Sequence, residues 1–448
     1  MATKVLAVSG PVIVPGDPAY DAARAVFIGG VDRRPSAIVR AASAEDVARV
    51  VTYARETDSE LAIRCGGHSA AGHGTTDGGI ILDLRELRSL EIDAAGRNAW
   101  AGAGLTAIEY TKATAAHGLA TGFGDTGSVG IGGLTLGGGI GYLVRKHGLT
   151  IDSLIAAEIV TADGRLHRVD AKHEPELFWA IRGGGGNFGV ATRFQFRLHP
   201  VDTIVGGMLL VPATAETVRR FLELADAAAE ELSIIANVMP APPMPFVPSE
   251  HHGRLSIMAL AAYAGDVEAG TRAFAPLRAV APAIVDTVAP MRYADLYPPE
   301  DPAYHPIAVN AAFFIDEVDA PLCEAIVDGL TAYEAPMRVV QLRVLGGGMA
   351  RVPNDATAFA HRDRRVMAVV AAICGRAEER PERARWVARF AASLRRGRPG
   401  AYVNFLGDEG PARVREAYPG ATWDRLVAVK RRYDSTNLFR LNQNVPPA

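Results

Sequence analysis

Apolar positions recur at two different periods in the first 200 residues, and this predicts an alternation of helices and strands. Residues 43–57 open with Ser43 three residues before Asp46, a capping-box spacing, and continue with apolar residues at helical period. Residues 155–170 predict two strands joined by a turn over residues 162–164. Short apolar runs predict further strands over residues 61–64, 79–84 and 97–104.

The apolar runs become longer after about Val201 and alternate with amphipathic helices. Strands are predicted over residues 203–213, 254–265, 337–347 and 364–375, and helices over residues 213–232 and 381–396. This pattern suits one sheet with helices laid on one face. The Pro-rich residues 239–253 predict an exposed loop, and the chain after Phe405 predicts helical turns.

Length and charge limit the class of protein. A chain of 448 residues is too long for one simple core, which predicts two domains or one domain with a large insertion. The net charge of -3, with Lys and Arg scattered along the chain, argues against a nucleic-acid partner. No apolar stretch approaches the length of a membrane-spanning helix. Cys65, Cys323 and Cys374 are widely spaced and odd in number, so a reducing, cytoplasmic location is expected.

Glycine is most concentrated between Gly127 and Gly148, in the segment GSVGIGGLTLGGGIGYLVRKHG. Bare backbone without Cβ atoms can curl so that successive N–H groups surround an anion, which favours a phosphate or pyrophosphate ligand. The alternative is a flexible linker, but the segment is more apolar than linkers are. A second glycine motif, GxGxxG at Gly184, Gly186 and Gly189, follows a helical pattern and enters a strand. That order is the reverse of a nicotinamide site, which the sequence therefore does not predict.

Two histidines lie among four glycines in RCGGHSAAGHG, residues 64–74. A metal site, a loop around a phosphate-bearing cofactor and an ordinary turn are the alternatives. His68 and His73 are five residues apart, which does not place them on one helix face, and no Cys, Asp or Glu cluster completes a zinc site. The sequence therefore predicts no metal, and His73 is interpreted as incidental.

Four segments in this order and spacing resemble one known family. They are RCGGHS, VGIGGLTLGGGIGYLVRKHGLTIDSL, GGGGNFGVATRFQFRLHP and RYDSTNLFRLNQNVPP. Together they are similar to the berberine bridge enzyme-like flavoproteins of the vanillyl-alcohol oxidase superfamily, and the likeness covers about residues 35–200 and 400–447. It implies an α+β fold with a PCMH-type FAD-binding domain over residues 1–200, completed by residues 405–448. A substrate domain with an antiparallel sheet covered by helices is then expected over residues 201–404.

In the resemblance, His68 bonds covalently to the 8α-methyl group of FAD. A neutral imidazole is a competent nucleophile near pH 7. The cysteine that makes a second link in many members is Thr126 here, whose hydroxyl is too weakly acidic for that role, so a single link is implied. The cofactor-binding positions implied are Arg64, Cys65, Gly66, Gly67, His68, Ser69, Thr126, Ser128, Val129, Gly130, Gly132, Gly133, Gly137, Gly139, Ile140, Gly141, Val190, Asn442 and Asn444.

The catalytic positions are less well marked. Ile140 replaces a tyrosine that many plant members carry within the glycine run. The segment AYVNF keeps Tyr402 and Asn404 of the family's Y-x-N-Y motif but ends in Phe405. Tyr402 is expected to act as an acid, a base or a positioning group, or to be a packed aromatic residue. His361, in a polar loop, is interpreted either as a base over the flavin or, preferably, as a solvated loop residue.

The implied reaction is hydride transfer to FAD from a carbon bearing OH or NH, in a small metabolite or a sugar. Val129 occupies a position at which, in the family, a small side chain admits dioxygen, which favours an oxidase that releases hydrogen peroxide. A core position for Val129 is the alternative. A dehydrogenase with another electron acceptor and a flavin-binding protein without turnover are the alternative functions. A small-molecule substrate and dioxygen are the expected partners.

Overall fold

The computed structural model describes residues 6–301, 303–335 and 337–448. The strands up to residue 200 are β1 (Val12–Ile13), β2 (Ala37–Arg40), β3 (Leu61–Arg64), β4 (Ile80–Asp83), β5 (Leu90–Asp93), β6 (Asn98–Gly102), β7 (Leu119–Ala120), β8 (Leu154–Val160), β9 (Leu166–Asp170), β10 (Val190–Arg197) and β11 (His199–Pro200). The helices are α1 (Tyr20–Arg24), α2 (Ala44–Glu56), α3 (Ala107–Ala115), α4 (Ile131–Gly137), α5 (Val144–His147) and α6 (Pro175–Ala180).

These strands form two main sheets that share one core. The first has the order β1-β2-β4-β3, in which β4 runs parallel to β2 and β3. The second has the order β5-β6-β10-β8-β9 and is antiparallel. Helix α2 packs its apolar stripe of Val47, Val50 and Val51 into the core between them. The side chain of Ser43 accepts a hydrogen bond from the Asp46 backbone N–H and caps this helix.

A larger antiparallel sheet follows. Its strands are β12 (Thr203–Pro212), β13 (Leu232–Pro240), β14 (Leu255–Tyr263), β15 (Val285–Asp286), β16 (Ala289–Arg292), β17 (Ile307–Ile315), β18 (Met337–Val344) and β19 (Val366–Cys374). They lie in the order β15-β12-β14-β13-β18-β19-β17, and β16 also pairs with β12. The helices of this part are α7 (Ala215–Ala227), α8 (Val267–Ala273), α9 (Ala275–Arg278), α10 (Ala320–Thr331), α11 (Gly348–Arg351) and α12 (Arg380–Leu394).

The two faces of the large sheet have different partners. Helices α7, α10 and α12 cover one face and form an apolar core with it. The opposite face, which carries Ala312, Met367 and Val369, packs on Ile140 and Tyr402. The α+β class and the sheet covered by helices are therefore confirmed. Because the uncovered face meets the glycine-rich part of the chain, a cavity forms between the sheet and the first 200 residues.

The tail returns to the first 200 residues through α13 (Pro411–Ala417) and α14 (Ala421–Tyr433). A buried ion pair holds it there: Lys430 Nζ lies 2.6 Å from Asp434 Oδ2, and both side chains are fully buried. The same ammonium donates to the carbonyl oxygen of Asn187 at 2.8 Å. Asp434 accepts the backbone N–H groups of Leu438 and Phe439. The pair thus connects the tail to the loop before β10.

Many predicted strands and helices agree with the structure, but some elements were missed and one helix ends too late. Strands β3, β4, β6, β12, β14, β18 and β19 and the β8–β9 hairpin are confirmed, and so are helices α2 and α12. Strands β13 and β17 were not predicted. The predicted helix over residues 213–232 is wrong at its end, because α7 stops at Ala227 and β13 starts at Leu232. β13 is buried on both faces, so it shows no alternation that marks a strand.

Among the described helices, none combines the length and the apolar character that crossing a bilayer requires.

The buried pair predicts a strong and asymmetric effect on stability. Asp434→Ala leaves the Lys430 charge buried and unpaired, so the free energy of unfolding should fall by about 3–5 kcal/mol. Glu176→Ala, which removes the partner of Arg425 in an exposed pair, should change it by less than about 1 kcal/mol. Denaturant unfolding measures both. The double variant Lys430→Met/Asp434→Ala should recover part of the loss, and equal losses in the single and double variants would contradict this account.

Candidate active site

A cavity of about 450 Å³ lies between the glycine-rich loops and the uncovered face of the large sheet. Its lining comes from separate parts of the chain, which the fold brings together: residues 63–74, 124–140 and 185–191, single positions on β17 and β19, and residues 402–405 and 441–443. All four segments that carry the family resemblance contribute several residues each. The cavity is therefore the place at which those motifs meet.

The first wall is the loop after β3. Arg64 is 2 % exposed, and its guanidinium donates to Asp83 Oδ2 at 2.8 Å and to the Ala23 carbonyl oxygen at 2.6 Å. This ion pair holds the loop on β4, and Arg64 is also among the residues that line the cavity. Burial lowers its pKa, and the Asp83 carboxylate opposes that effect.

The same loop presents unused donors to the cavity. The backbone N–H groups of Gly66, Gly67, His68 and Ser69 donate to no acceptor among the described residues, and all four residues line the cavity. Consecutive free N–H groups in a loop with a positive φ, here 74° at Gly67, form a concavity that suits an anion. The donor set fits the pyrophosphate of FAD.

His68 occupies a partly buried corner of this wall. Its ring stacks on Phe27 with centroids 4.0 Å apart, and its Nε2 lies 3.1 Å from Ser128 Oγ. Burial lowers the pKa of His68 to about 4, against the effect of the Glu300 carboxylate. The imidazole is therefore neutral at pH 7 and keeps a lone pair. Burial also raises the pKa of the Cys65 thiol to about 12, so this neighbour is not a thiolate nucleophile.

The second wall is the glycine run from Thr126 to Ile140. A Cβ atom on Gly130 would lie 2.5 Å from the Gly66 nitrogen, so the two glycine loops touch through bare backbone. At Gly133 a Cβ atom would meet nothing within 4 Å, so this residue faces open space in the cavity wall. The Thr126 and Val129 side chains also line the cavity.

Tyr402 lies opposite the glycine run and is 2 % exposed. Its hydroxyl oxygen accepts the Gly139 N–H at 2.7 Å and the Asn404 amide N–H at 2.9 Å. Asn404 is oriented by a second hydrogen bond from its amide to the Leu134 carbonyl oxygen at 3.0 Å. Burial raises the pKa of Tyr402 to about 12, although the two donors oppose this effect. The phenol keeps its proton at neutral pH, and that proton is not used by either hydrogen bond.

The large sheet supplies the third wall through Asn310 and Val369, beside an ion pair near the end of β18. Arg343 donates to Asp125 Oδ2 at 2.8 Å, and its charge lies 4.9 Å from the centre of the Phe405 ring. Among the described residues that line the cavity, Asp125 is the one that carries a carboxylate. Its charge is already paired, so the cavity as a whole is close to neutral.

Comparisons with known proteins agree with this site. A family described as FAD binding domain matches residues 35–170, and one described as berberine and berberine like matches residues 401–446. (R)-6-hydroxynicotine oxidase of Paenarthrobacter nicotinovorans is 33% identical over 465 residues, which cover 99% of this chain and 98% of that protein. The chain belongs to the berberine bridge enzyme-like family of FAD-linked oxidoreductases.

Solved structures of the family share the whole architecture. The crystal structure of 6-hydroxy-D-nicotine oxidase from Arthrobacter nicotinovorans matches with a TM-score of 0.89 at 29% identity, over 100% of both chains. Chitooligosaccharide oxidase matches with a TM-score of 0.84 at 20% identity, over 98% of this chain and 97% of that one. The latter likeness shows the fold alone. The protein is therefore an FAD-dependent oxidoreductase.

Most positions predicted for this oxidoreductase line the cavity, but five do not. Ser128, Gly137, Gly141, Asn444 and His361 are absent from the described lining. A Cβ atom on Gly137 would lie 1.9 Å from Asn404 Oδ1, and one on Gly141 would lie 1.5 Å from the Phe123 carbonyl oxygen. These two glycines therefore permit close packing behind the wall. Asn444 Oδ1 is buried without a hydrogen-bond partner in the described residues.

His361 is neither solvated nor in the cavity. It is 3 % exposed, its Nε2 bonds to the Glu416 carbonyl oxygen at 3.1 Å, and its ring packs against Phe314. The solvated-loop interpretation is wrong because the polar loop folds under the large sheet. His361 lies outside the cavity lining, so it is not placed to act as a base over the flavin.

The lining also contains residues that the sequence did not mark as cofactor-binding. Gly186 and Gly189 of the GxGxxG motif line the cavity together with Gly185. His73, interpreted as incidental, lines it too, and burial lowers its pKa to about 4. In the described residues no three His, Cys, Asp or Glu side chains converge as a metal site. Asn310 and Val369 carried no sequence signal, since they lie singly on strands.

The close packing of Gly137 predicts a local stability effect. Gly137→Ala places a methyl group on the Asn404 amide, so the free energy of unfolding should fall by about 1–3 kcal/mol. Gly407→Ala is the matched control, because a Cβ atom there meets nothing within 4 Å. Thermal or denaturant unfolding measures both variants. If Gly137→Ala is as stable as Gly407→Ala, the Asn404 side chain can move aside without lowering the free energy of unfolding, and this account is wrong.

Proposed function

We propose that this protein is an oxidase that takes a hydride from a carbon bearing an amine nitrogen in a small molecule and passes the electrons to dioxygen. The observation that carries the proposal is that the Tyr402 phenol and the unused N–H groups of residues 66–69 line one cavity. When bound, FAD supplies the ring that accepts the hydride. FAD is assigned to residues 1–200 with 405–448, and the substrate to the wall from residues 201–404, where Asn310 and Val369 lie.

An amine suits this cavity better than an alcohol. An alcohol must lose its O–H proton as well as a hydride, which requires a base, whereas a neutral amine can release a hydride with help from its own lone pair. The described lining offers only weak bases: Asp125 is paired with Arg343, and burial lowers the pKa of His73 to about 4. The 33% identical relative is named for a nicotine substrate, which is an amine.

Tyr402 is assigned the task of positioning the substrate. With a pKa of about 12 it holds its proton at neutral pH, so it donates a hydrogen bond to a substrate atom and does not remove a proton. Both other hydrogen bonds end at its oxygen, which fixes the direction of the remaining O–H. Ile140, Val369 and Phe405 complete an apolar pocket beside it. The pocket excludes water from the reacting carbon.

Single attachment of FAD through His68 is part of the proposal. His68 is neutral, lines the cavity and adjoins the anion-binding N–H groups. Thr126 lines the opposite wall, but its hydroxyl is a poor nucleophile without an activating base. A cytoplasmic location is also part of the proposal, because all three cysteines are free, as is usual for proteins in a reducing compartment.

The amine assignment predicts a substrate preference and a pH dependence. With matched amines and alcohols, oxygen uptake and hydrogen peroxide release should occur with the amines. The value of kcat/KM should rise with pH up to the pKa of the amine, because only the neutral amine has a free lone pair.

Val129→Leu should slow flavin reoxidation by dioxygen and leave anaerobic reduction intact. Stopped-flow absorbance separates the two steps. Turnover of sugars alone, or reduction without oxygen uptake, would contradict the assignment.

The attachment predicts a fluorescent band on a denaturing gel, with the added mass on the peptide that contains His68. His68→Ala should release all FAD on denaturation and still bind it in the native state, because the N–H groups of the loop remain. Thr126→Ala, the matched control on the opposite wall, should keep the covalent flavin. Covalent flavin in His68→Ala, or added mass on the Thr126 peptide, would show that the attachment site is misassigned.

A further inference from the structure

A hydrogen-bonded chain connects His68 to an acidic residue outside the cavity. His68 Nε2 lies 3.1 Å from Ser128 Oγ, and Ser128 Oγ also bonds to the Glu300 carboxylate. The backbone N–H of Ser128 donates to Glu300 Oε1 at 3.0 Å. The carboxylate is thus held by two groups of one residue, and the hydroxyl lies between the carboxylate and the imidazole.

Glu300 reaches this position on a segment that joins the large sheet to the His68 corner. On one side of it, the Tyr297 hydroxyl donates to the Gly124 carbonyl oxygen at 3.0 Å. On the other side, the backbone N–H of Gly29 donates to the Pro306 carbonyl oxygen at 3.0 Å. Gly29 lies two residues from Phe27, whose ring stacks on His68. Described residues before and after Glu300 therefore contact the chain just before the glycine run and the chain next to Phe27.

The chain of bonds determines which imidazole nitrogen carries the proton. An ionised carboxylate only accepts hydrogen bonds, so the single hydroxyl proton of Ser128 points to Glu300. Ser128 Oγ must then accept from His68, which places the proton of the neutral ring on Nε2. The lone pair lies on Nδ1, away from Ser128. A histidine without this partner divides its population between both tautomers.

We infer that Glu300, acting through Ser128, is a positioning residue for the covalent attachment of flavin to His68. The inference rests on the proposed attachment. Glu300, which is exposed, then has two tasks. It holds His68 in the tautomer whose Nδ1 lone pair is free, and its negative charge stabilises the positive charge that the ring gains when the bond forms.

The attachment reaction balances with dioxygen as the oxidant. A bond forms between the His68 nitrogen and the 8α carbon of the flavin. The carbon loses one proton and the imidazole loses its N–H proton. Two electrons and both protons pass to the flavin, and dioxygen then takes them as hydrogen peroxide. Between bond formation and proton loss the imidazole is a partly buried cation, and a nearby carboxylate lowers the energy of this cation.

The test compares Glu300→Gln and Ser128→Ala with wild type and with Asp301→Asn. The control removes a charge close to Glu300, and in the described residues the Asp301 side chain accepts a hydrogen bond only from the Ala303 N–H. Purified proteins are incubated with FAD in air, and gel fluorescence follows the covalent fraction over time. Total bound flavin, from absorbance before denaturation, and the unfolding temperature are measured on the same samples.

We expect Glu300→Gln and Ser128→Ala to attach flavin about 10- to 100-fold more slowly than wild type, the range for lost partners of a functional histidine. Total flavin and unfolding temperature should match wild type, and Asp301→Asn should attach flavin normally. Normal attachment in Glu300→Gln overturns the inference and leaves the His68 link standing. Loss of total flavin together with the covalent fraction also overturns it, because Glu300 would then be structural. No covalent flavin in wild type overturns the proposed link itself.

Discussion

The contact between Gly66 and Gly130 is the constraint on which the site depends. The two loops approach so closely that a Cβ atom on either residue would lie 2.5 Å from a backbone nitrogen of the other. A side chain at either position would separate the loops. With the loops in contact, the unused N–H groups of residues 66–69 and the open face of Gly133 border the same space.

Two ion pairs at the cavity wall neutralise the charged side chains there. Arg64 is paired with Asp83 beneath the first loop, and Arg343, near the end of β18, is paired with Asp125. Buried charges that lack partners are costly, which explains why both arginines are paired with carboxylates. The groups left facing the cavity, among them His68 and Tyr402, are neutral at pH 7. Such a site favours hydride transfer from a neutral substrate over proton abstraction.

Motif positions and cavity positions overlap but are not the same. Gly137 and Gly141 belong to the glycine run, yet they serve the packing of Asn404 and Phe123 behind the wall. Ser128 belongs to it as well, but bonds to Glu300 on a distant segment. His361 seemed polar and exposed in sequence because its loop has no apolar period, while the large sheet in fact covers it. A motif thus identifies a loop without saying which side of it faces the ligand.

The sequence by itself determined the family and its fold class, through the likeness of four motifs to known flavoproteins. It also determined the two glycine loops and many of the strands and helices, because these depend on where Cβ atoms are missing and where apolar residues repeat. Only the tertiary structure decided the wall formed by Asn310 and Val369, the pairing of Arg343 with Asp125, and the contact of Glu300 with Ser128. Those partners are separated by up to 218 residues in the chain. Their meeting depends on how the large sheet packs on the loops, which no local pattern records.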